Sequence, residues 1–249
     1  MRITFLGCGD AFGSGGRFNT CFMVDTPNAD AGDLRFLIDC GATSLVAMRR
    51  QSVNPDSIDA VFLTHLHGDH FGGLAFLLLQ AAIEKTREKP LAIAGPPGAE
   101  QSIRAAMEAL FPGSGTTQFP FPIDFISLEA GLAAQVRGVT VDAFRADHGA
   151  GMQCFSLRLS IGGKSIAYTG DTAWGDNVIA AGQGADLLIA EAYFFDRVVG
   201  KHTSYFQIDD NAEAIGAKRI ILTHMSDDML ARREEVPYTC AEDGLVVDL

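Results

Sequence analysis

Basic residues are scarce in this chain. Nineteen Lys and Arg stand against 31 Asp and Glu, a formal charge of −12 over 249 residues. That deficit excludes the broad cationic surface that holds nucleic acid or an anionic membrane, although a small basic site could persist locally. Cysteine is also sparse. Cys8, Cys21, Cys40, Cys154 and Cys240 are odd in number and include no CxxC pair, so a disulfide framework is excluded and free thiols in a reducing compartment are expected. No apolar run approaches the ~18 residues of a transmembrane helix. The N-terminus, Met-Arg-Ile-Thr-Phe-Leu-Gly, has no apolar h-region with a small-residue cleavage site. A cytoplasmic protein without membrane contact is the expectation. Hydrophobic residues at 47% and charged residues at 20% leave an ordinary globular chain, long enough for a sizeable core.

Histidine is rare too, with six in all, and its placement is informative. Residues 64–70 read Thr-His-Leu-His-Gly-Asp-His, so half of the histidines fall within six positions beside an aspartate. Turn chemistry has no use for three imidazoles. Neutral imidazole is a common nitrogen ligand for first-row metals, and carboxylate supplies the harder oxygen ligand. The apolar run 58–63 leads into the cluster, and Gly72-Gly73 precedes another apolar stretch. This predicts a buried strand, a tight loop that presents ligands, and a helix.

The rest of the chain reads as alternating strands and helices. Strands are predicted at 2–6, 20–25 and 34–39, forming a meander with a turn at 27–33, then a helix at 44–51 and a strand at 58–64. A helix through about residue 88, a strand at 91–94 and a helix at 99–110 follow, with a Pro-, Gly-, Ser- and Thr-rich linker at 112–122. The second half is expected to begin with strands at 124–128, 134–136, 140–146, 153–161 and 164–169. A helix near 176–181, a strand at 186–191, a helix near 207–215 and a strand at 219–223 complete it. Val61-Phe62-Leu63-Thr64-His65 is echoed by Ile220-Ile221-Leu222-Thr223-His224, which suggests two related αβ halves, about 1–118 and 119–249, within a single domain. The glycine pattern at Gly7, Gly9 and Gly13 is a poor dinucleotide signal, because a strand follows where a helix is needed.

A binuclear site needs six or seven ligands, of which the loop offers His65, His67, Asp69 and His70. His148, Asp171 and His224 each stand at a predicted strand-to-loop junction and are the candidates for the rest. His202 is then left over and is a candidate general acid or hydrogen-bond donor. Glu191 ends a buried strand and could fix the tautomer of His202 and raise its pKa. Asp39 could likewise orient a ligating histidine. Asp69, His202 and Glu191 are the candidate catalytic residues, with Asp69 also a ligand.

Assembled, the pattern resembles the metallo-β-lactamase superfamily. His65-x-His67-x-Asp69-His70 resembles its signature loop, and His148, Asp171 and His224 follow in the order of its later ligand motifs. The resemblance covers the whole chain and implies an α/β fold. That fold is an αβ/βα four-layer sandwich, with two mixed sheets face to face, helices outside and metals at one edge. Lys201-His202-Thr203-Ser204 and the segment 218–226 resemble the tRNase Z group and related cyclic phosphodiesterases, in which a carboxylate–histidine pair at the Glu191 and His202 positions assists catalysis. The chain departs from tRNase Z in two places. Only 22 residues, 149–170, separate His148 from Asp171, too few for the arm that grips tRNA. The His-Glu-Ala-Thr pattern is here Ala190-Glu191-Ala192-Tyr193. The cysteine-rich zinc site that one cyclic phosphodiesterase relative carries near its start is missing.

The resemblance and the acidity together predict a dinuclear metal-dependent phosphodiesterase acting on a small phosphodiester. His65, His67 and His148 would hold one ion, Asp69, His70 and His224 the other, and Asp171 would bridge them. A metal-bridging hydroxide would attack phosphorus and His202 would serve the leaving oxygen. Zinc suits the nitrogen-rich set, and manganese or iron is compatible. Extended nucleic acid and membrane are not expected partners; a homodimer is implied by the resemblance alone. The alternatives are thioester or lactone hydrolysis on the same site, tRNA 3′-end processing, and a metal-binding module without turnover. Specificity is expected from 7–16, from 112–122 and from residues near Trp174 and Phe194.

Overall fold

In a computed structural model, which describes residues 1–27, 32–149 and 151–249, the strands gather into two seven-stranded sheets. In chain order they are β1 (Arg2–Gly7), β2 (Cys21–Thr26), β3 (Leu34–Ile38), β4 (Ala60–Phe62), β5 (Leu91–Gly95), β6 (Ile123–Ser127), β7 (Ala134–Val136), β8 (Val139–Ala146), β9 (Cys154–Ile161), β10 (Lys164–Tyr168), β11 (Leu187–Glu191), β12 (Ile220–Thr223), β13 (Thr239–Cys240) and β14 (Val246–Asp248). The first sheet has the order β14-β1-β2-β3-β4-β5-β6 and the second β7-β8-β9-β10-β11-β12-β13. Each consists of three antiparallel pairings followed by three parallel ones. β14, at the end of the chain, occupies in the first sheet the place that β7 occupies in the second.

The helices are α1 (Ser44–Arg50), α2 (Gly68–Phe71), α3 (Gly73–Glu84), α4 (Ala99–Leu110), α5 (Asp176–Gly182), α6 (Tyr205–Asp210), α7 (Ala212–Ile215) and α8 (Asp227–Ala231). Three apolar layers hold the sandwich. Between the sheets pack Phe5, Phe22, Phe36 and Phe62 from one side and Phe155, Leu157, Tyr168 and Ile189 from the other. Leu74, Leu78, Ile103 and Met107 fasten α3 and α4 to the outer face of the first sheet. Val178, Ile208, Ile215 and Met229 do the same on the second. Strands covered on both faces read as continuous apolar runs, which is why β4 and β11 stand out in the sequence. The architecture is the α/β four-layer sandwich. Among the described residues no helix is long and apolar enough to cross a membrane, and all five cysteines are free.

Several boundaries differ from the sequence expectations. The helix expected to reach residue 88 ends at Glu84, where Lys85 turns left-handed (φ 54°) and caps it. The helix expected over 207–215 is two short ones, broken at Asn211, and starts at a capping box of Ser204 and Gln207. Residues 112–122 do not act as a linker. Phe121 is buried in the outer core of the first sheet, and the segment leads into β6 of that same sheet, not into the second half. It also ends beside the N-terminus of β5, where Leu91 N–H donates to Pro122 O. The ligand loop follows the opposite, C-terminal end of β4, so 112–122 does not border the histidines of its own chain. The Thr-His echo falls on β4 and β12, which are not matching places, since the counterpart of β4 in the shared plan is β11. β13, β14 and α8 went unforeseen because they are short and carry little periodicity. The turn expected at 27–33 lies largely on residues 28–31, outside the described residues.

Candidate metal centre

Every candidate ligand follows the C-terminal end of a strand. His65 and His67 come just after β4, and Asp69 and His70 lie on the single turn of α2. His148 follows β8, Asp171 follows β10 and His224 follows β12. Strand ends on one edge of a sandwich converge, so residues 159 positions apart in the chain (65 and 224) meet in space.

Three groups result. His65, His67 and His148 offer nitrogen atoms within 4.8 Å of one another; Asp69, His70, Asp171 and His224 offer nitrogen and carboxylate oxygen atoms equally close, as do Asp171, Glu191, His202 and His224, which overlap the second group. Asp171 faces the first two. Its Oδ1 lies 3.2 Å from His70 Nε2 and 3.4 Å from His224 Nε2, while Oδ2 lies 3.7 Å from His148 Nε2. Asp69 Oδ2 is 3.2 Å from both His70 Nε2 and His224 Nε2. The structure therefore brings all seven residues to one place, nearly all of them buried.

The other ring nitrogens of His65, His70 and His148 are engaged by the surrounding protein, which aims those imidazoles, whereas His224 Nδ1 is buried with no hydrogen-bond partner among the described residues. His70 Nδ1 is 2.7 Å from Asp39 Oδ2. Thr64 Oγ1 donates to that same oxygen at 2.8 Å and sits 3.0 Å from His65 Nδ1. His148 Nδ1 donates to the Lys201 carbonyl at 2.8 Å. Thr64 and the Lys201 carbonyl were not foreseen. A backbone oxygen leaves no trace in residue identity, and a threonine in an apolar strand end reads as ordinary β-propensity.

The donor set fits divalent cations. His65 Nε2 and Asp171 Oδ1 are buried without a hydrogen-bond partner among the described residues. His148 Nε2 and His67 Nδ1 lie 3.0 Å apart, and His70 Nε2 and His224 Nε2 lie 3.3 Å apart. Burial and the nearby His70 push His65 down; burial also lowers His148, so both keep free lone pairs. Burial opposes ionisation of Asp171 and Asp69, yet His224 and His70 outweigh it and hold both carboxyls below the usual range. Burial likewise opposes charge on His70 and His224, but the carboxylates around them prevail and raise His224 to about 9. The carboxylates thus favour positive charge at this point, which divalent cations would supply.

Beside this centre Glu191, fully buried at the end of β11, accepts from His202 Nδ1 through Oε1. Its Oε2 accepts from Thr172 N–H at 3.0 Å and from Thr203 N–H at 3.3 Å. Burial and Asp171 raise the Glu191 carboxyl, and Glu191 in turn lifts His202 above its ordinary value against the effect of burial. His202 keeps 24% of its side chain exposed, enough to reach a ligand. A cavity of about 600 Å³ lined by Arg145, Asp147, His148, Met152 and Gln153 adjoins the centre. A second cavity of about 440 Å³ lies near the N-terminal ends of β3 and β4, where Arg35 pairs with Asp25 and Lys89 with Asp59.

Sandwich, ligand groups and carboxylate–histidine pair together define a metal-dependent hydrolase of the metallo-β-lactamase fold. Known proteins agree. Ribonuclease BN of Proteus mirabilis (strain HI4320) is 25% identical over 304 aligned positions, which cover 100% of this chain and 96% of that one. The short form of human tRNase Z superposes with a TM-score of 0.77 at 26% identity, covering 100% of this chain and 99% of that one. A diphosphatase of the PhnP family superposes equally well, TM-score 0.77, at 20% identity with 100% and 97% covered. Within this class the chain belongs to the family of the anti-Pycsar protein Apyc1, whose model matches residues 1–240. It lies near the tRNase Z group, among metal-dependent nucleases and phosphodiesterases.

Proposed function

We propose that this protein is a dinuclear phosphodiesterase that hydrolyses a small phosphodiester. The observation that carries the reading is Asp171, whose two oxygens face two separate ligand groups while the Glu191–His202 pair stands alongside. His65, His67 and His148 would hold one ion, Asp69, His70 and His224 the other, with Asp171 shared. Zinc suits a set with five imidazoles. Two such cations would lower the pKa of water and offset phosphoryl charge. The chain's own residues do the remainder. Asp39 and the Lys201 carbonyl hold the imidazoles in the ligating tautomer. Glu191 binds Nδ1–H of His202, which leaves Nε2–H to pass its proton to the leaving oxygen as the P–O bond breaks.

Small size of the substrate is supported by the charge of −12 and by the stretch between His148 and Asp171. The strands β9 and β10 fill most of it, joined through Gly162-Gly163. A second reading, endonucleolytic RNA processing, is favoured by the names of relatives such as ribonuclease BN. The deciding experiment is hydrolysis of bis(p-nitrophenyl) phosphate by metal-loaded protein, beside a chelated control and Asp69→Ala, followed by cyclic nucleotides, precursor tRNA, thioesters and lactones. Turnover of small diesters, lost in both controls, is expected. Cleavage of precursor tRNA with small diesters untouched would select the RNA reading, and thioester or lactone turnover alone would exclude both.

A further inference from the structure

Glu191 restrains His202 only along one edge of its ring. A second restraint comes from two residues further along the same segment. Tyr193 lies against the face of that imidazole, ring centroids 4.6 Å apart and planes 27° from parallel. The backbone of Tyr193 is fixed from two sides. Its N–H donates to Thr203 O at 2.9 Å, and its carbonyl accepts from Ser226 N–H at 3.0 Å and from Ser226 Oγ at 2.5 Å. Thr203 follows His202 and Ser226 lies two residues beyond the ligand His224, so Tyr193 ties the acid–base segment to the metal segment. Phe194 packs edge-on against the tyrosine ring at 4.7 Å and supports its outer side. Among the described residues none hydrogen-bonds the phenol oxygen, so the contact that matters is the ring.

Resting on the phosphodiesterase reading above, we propose that Tyr193 is a positioning residue for the leaving-group step. Its ring, stacked on His202, stops the imidazole from swinging about the Glu191 hydrogen bond and keeps Nε2–H on the leaving oxygen. An imidazole held at one nitrogen can still rotate about that contact, whereas an edge and a face restraint together leave one orientation. Proton donation counts most when the leaving group is a poor one, because a stabilised phenolate departs without a proton. Tyr193 should therefore matter in proportion to the need for the acid.

The experiment compares the p-nitrophenyl and unsubstituted phenyl esters of thymidine 5′-phosphate. Its enzymes are the metal-loaded wild type, Tyr193→Leu, Tyr193→Phe, His202→Ala and the double variant. Tyr193→Leu should lower kcat on the phenyl ester by about tenfold or more, leave KM within about twofold and change the p-nitrophenyl ester little. Tyr193→Phe should restore both. Adding Tyr193→Leu to His202→Ala should cost nothing further, since the tyrosine acts through the histidine. Equal losses on both esters, failure of phenylalanine to rescue, or multiplying losses in the double variant would overturn the proposal. Histidine-labelled protein provides a readout without turnover. The His202 ring signals, identified by their loss in His202→Ala, should move in Tyr193→Leu and stay in Tyr193→Phe. Should the wild type cleave neither ester, the phosphodiesterase reading fails. Unmoved His202 signals in Tyr193→Leu would dismiss the stacking role separately.

Discussion

Asp39 Oδ2 serves two candidate ligand imidazoles at once, directly for His70 at 2.7 Å and through Thr64 Oγ1 for His65. Its Oδ1 accepts from Thr64 N–H at 2.8 Å, so both oxygens are committed as acceptors. An amide in its place must turn an N–H toward one of these donors, whichever way it flips. Asp39→Asn should weaken metal binding by about 10- to 100-fold, measured by competition with a chromogenic chelator, while Asp39→Glu misplaces both oxygens and should do no better.

Asp171 belongs to the group of Asp69, His70 and His224, and its Oδ2 reaches to 3.7 Å from His148 Nε2 of the other group. Asp171→Ala should remove both ions and activity together, read as metal content per chain by mass spectrometry. Retention of two ions would refute the bridging role.

His202 is not one of the seven proposed ligands, although it groups with Asp171, Glu191 and His224. His202→Ala should keep full metal content and lower kcat by roughly 10²- to 10⁴-fold on a diester with a poor leaving group. A trivial loss on that substrate would remove the acid assignment.

Gly41 packs against the backbone of the ligand loop, and a Cβ there would lie 2.1 Å from Asp69 O. Backbone cannot yield as a side-chain tip can. Gly41→Ala should displace α2, lower the melting temperature and reduce metal content, whereas Gly68→Ala, which meets nothing within 4 Å, should be mild in packing terms.

Burial pushes the thiols of Cys8, Cys21 and Cys154 up, Cys154 to about 11, and the buried Tyr168 phenol rises for the same reason. Groups whose folded pKa exceeds the unfolded one contribute stability below the unfolded value, about 8.5 for a thiol and 10 for a phenol, and lose it as pH rises toward the folded value. The urea midpoint should therefore fall between about pH 8 and pH 11. Iodoacetamide, which needs thiolate, should label these cysteines slowly in native protein at pH 8 and rapidly once it is unfolded. Equal labelling rates would contradict the burial.

The long elements were legible in the sequence, and α4 was expected with the bounds it has, because Ala99, Ile103 and Met107 repeat at helical spacing and Pro112-Gly113 follow. β13 and β14 were not, since strands of two and three residues owe their existence to the sheet edge they join. The ligand loop was legible because no other local chemistry asks for its composition. Tyr193 was noticed as a departure from the tRNase Z pattern, but its contact with His202 was not, since a tyrosine after a buried strand has no signature of stacking.

By itself the sequence determined the chemistry available: seven side chains of the kinds that can ligate metals, one spare histidine, a glutamate ending an apolar strand, and a net charge of −12. Tertiary structure decided what that chemistry faces. Only when two sheets of the same plan pack face to face do the ends of β4, β8, β10, β11 and β12 converge, and only then does Asp171 acquire two partners and Glu191 a histidine. The reason is physical. Local propensity acts over a few residues, whereas the distances that aim an imidazole are set by hydrogen bonds between segments brought together from across the chain by burial of the core.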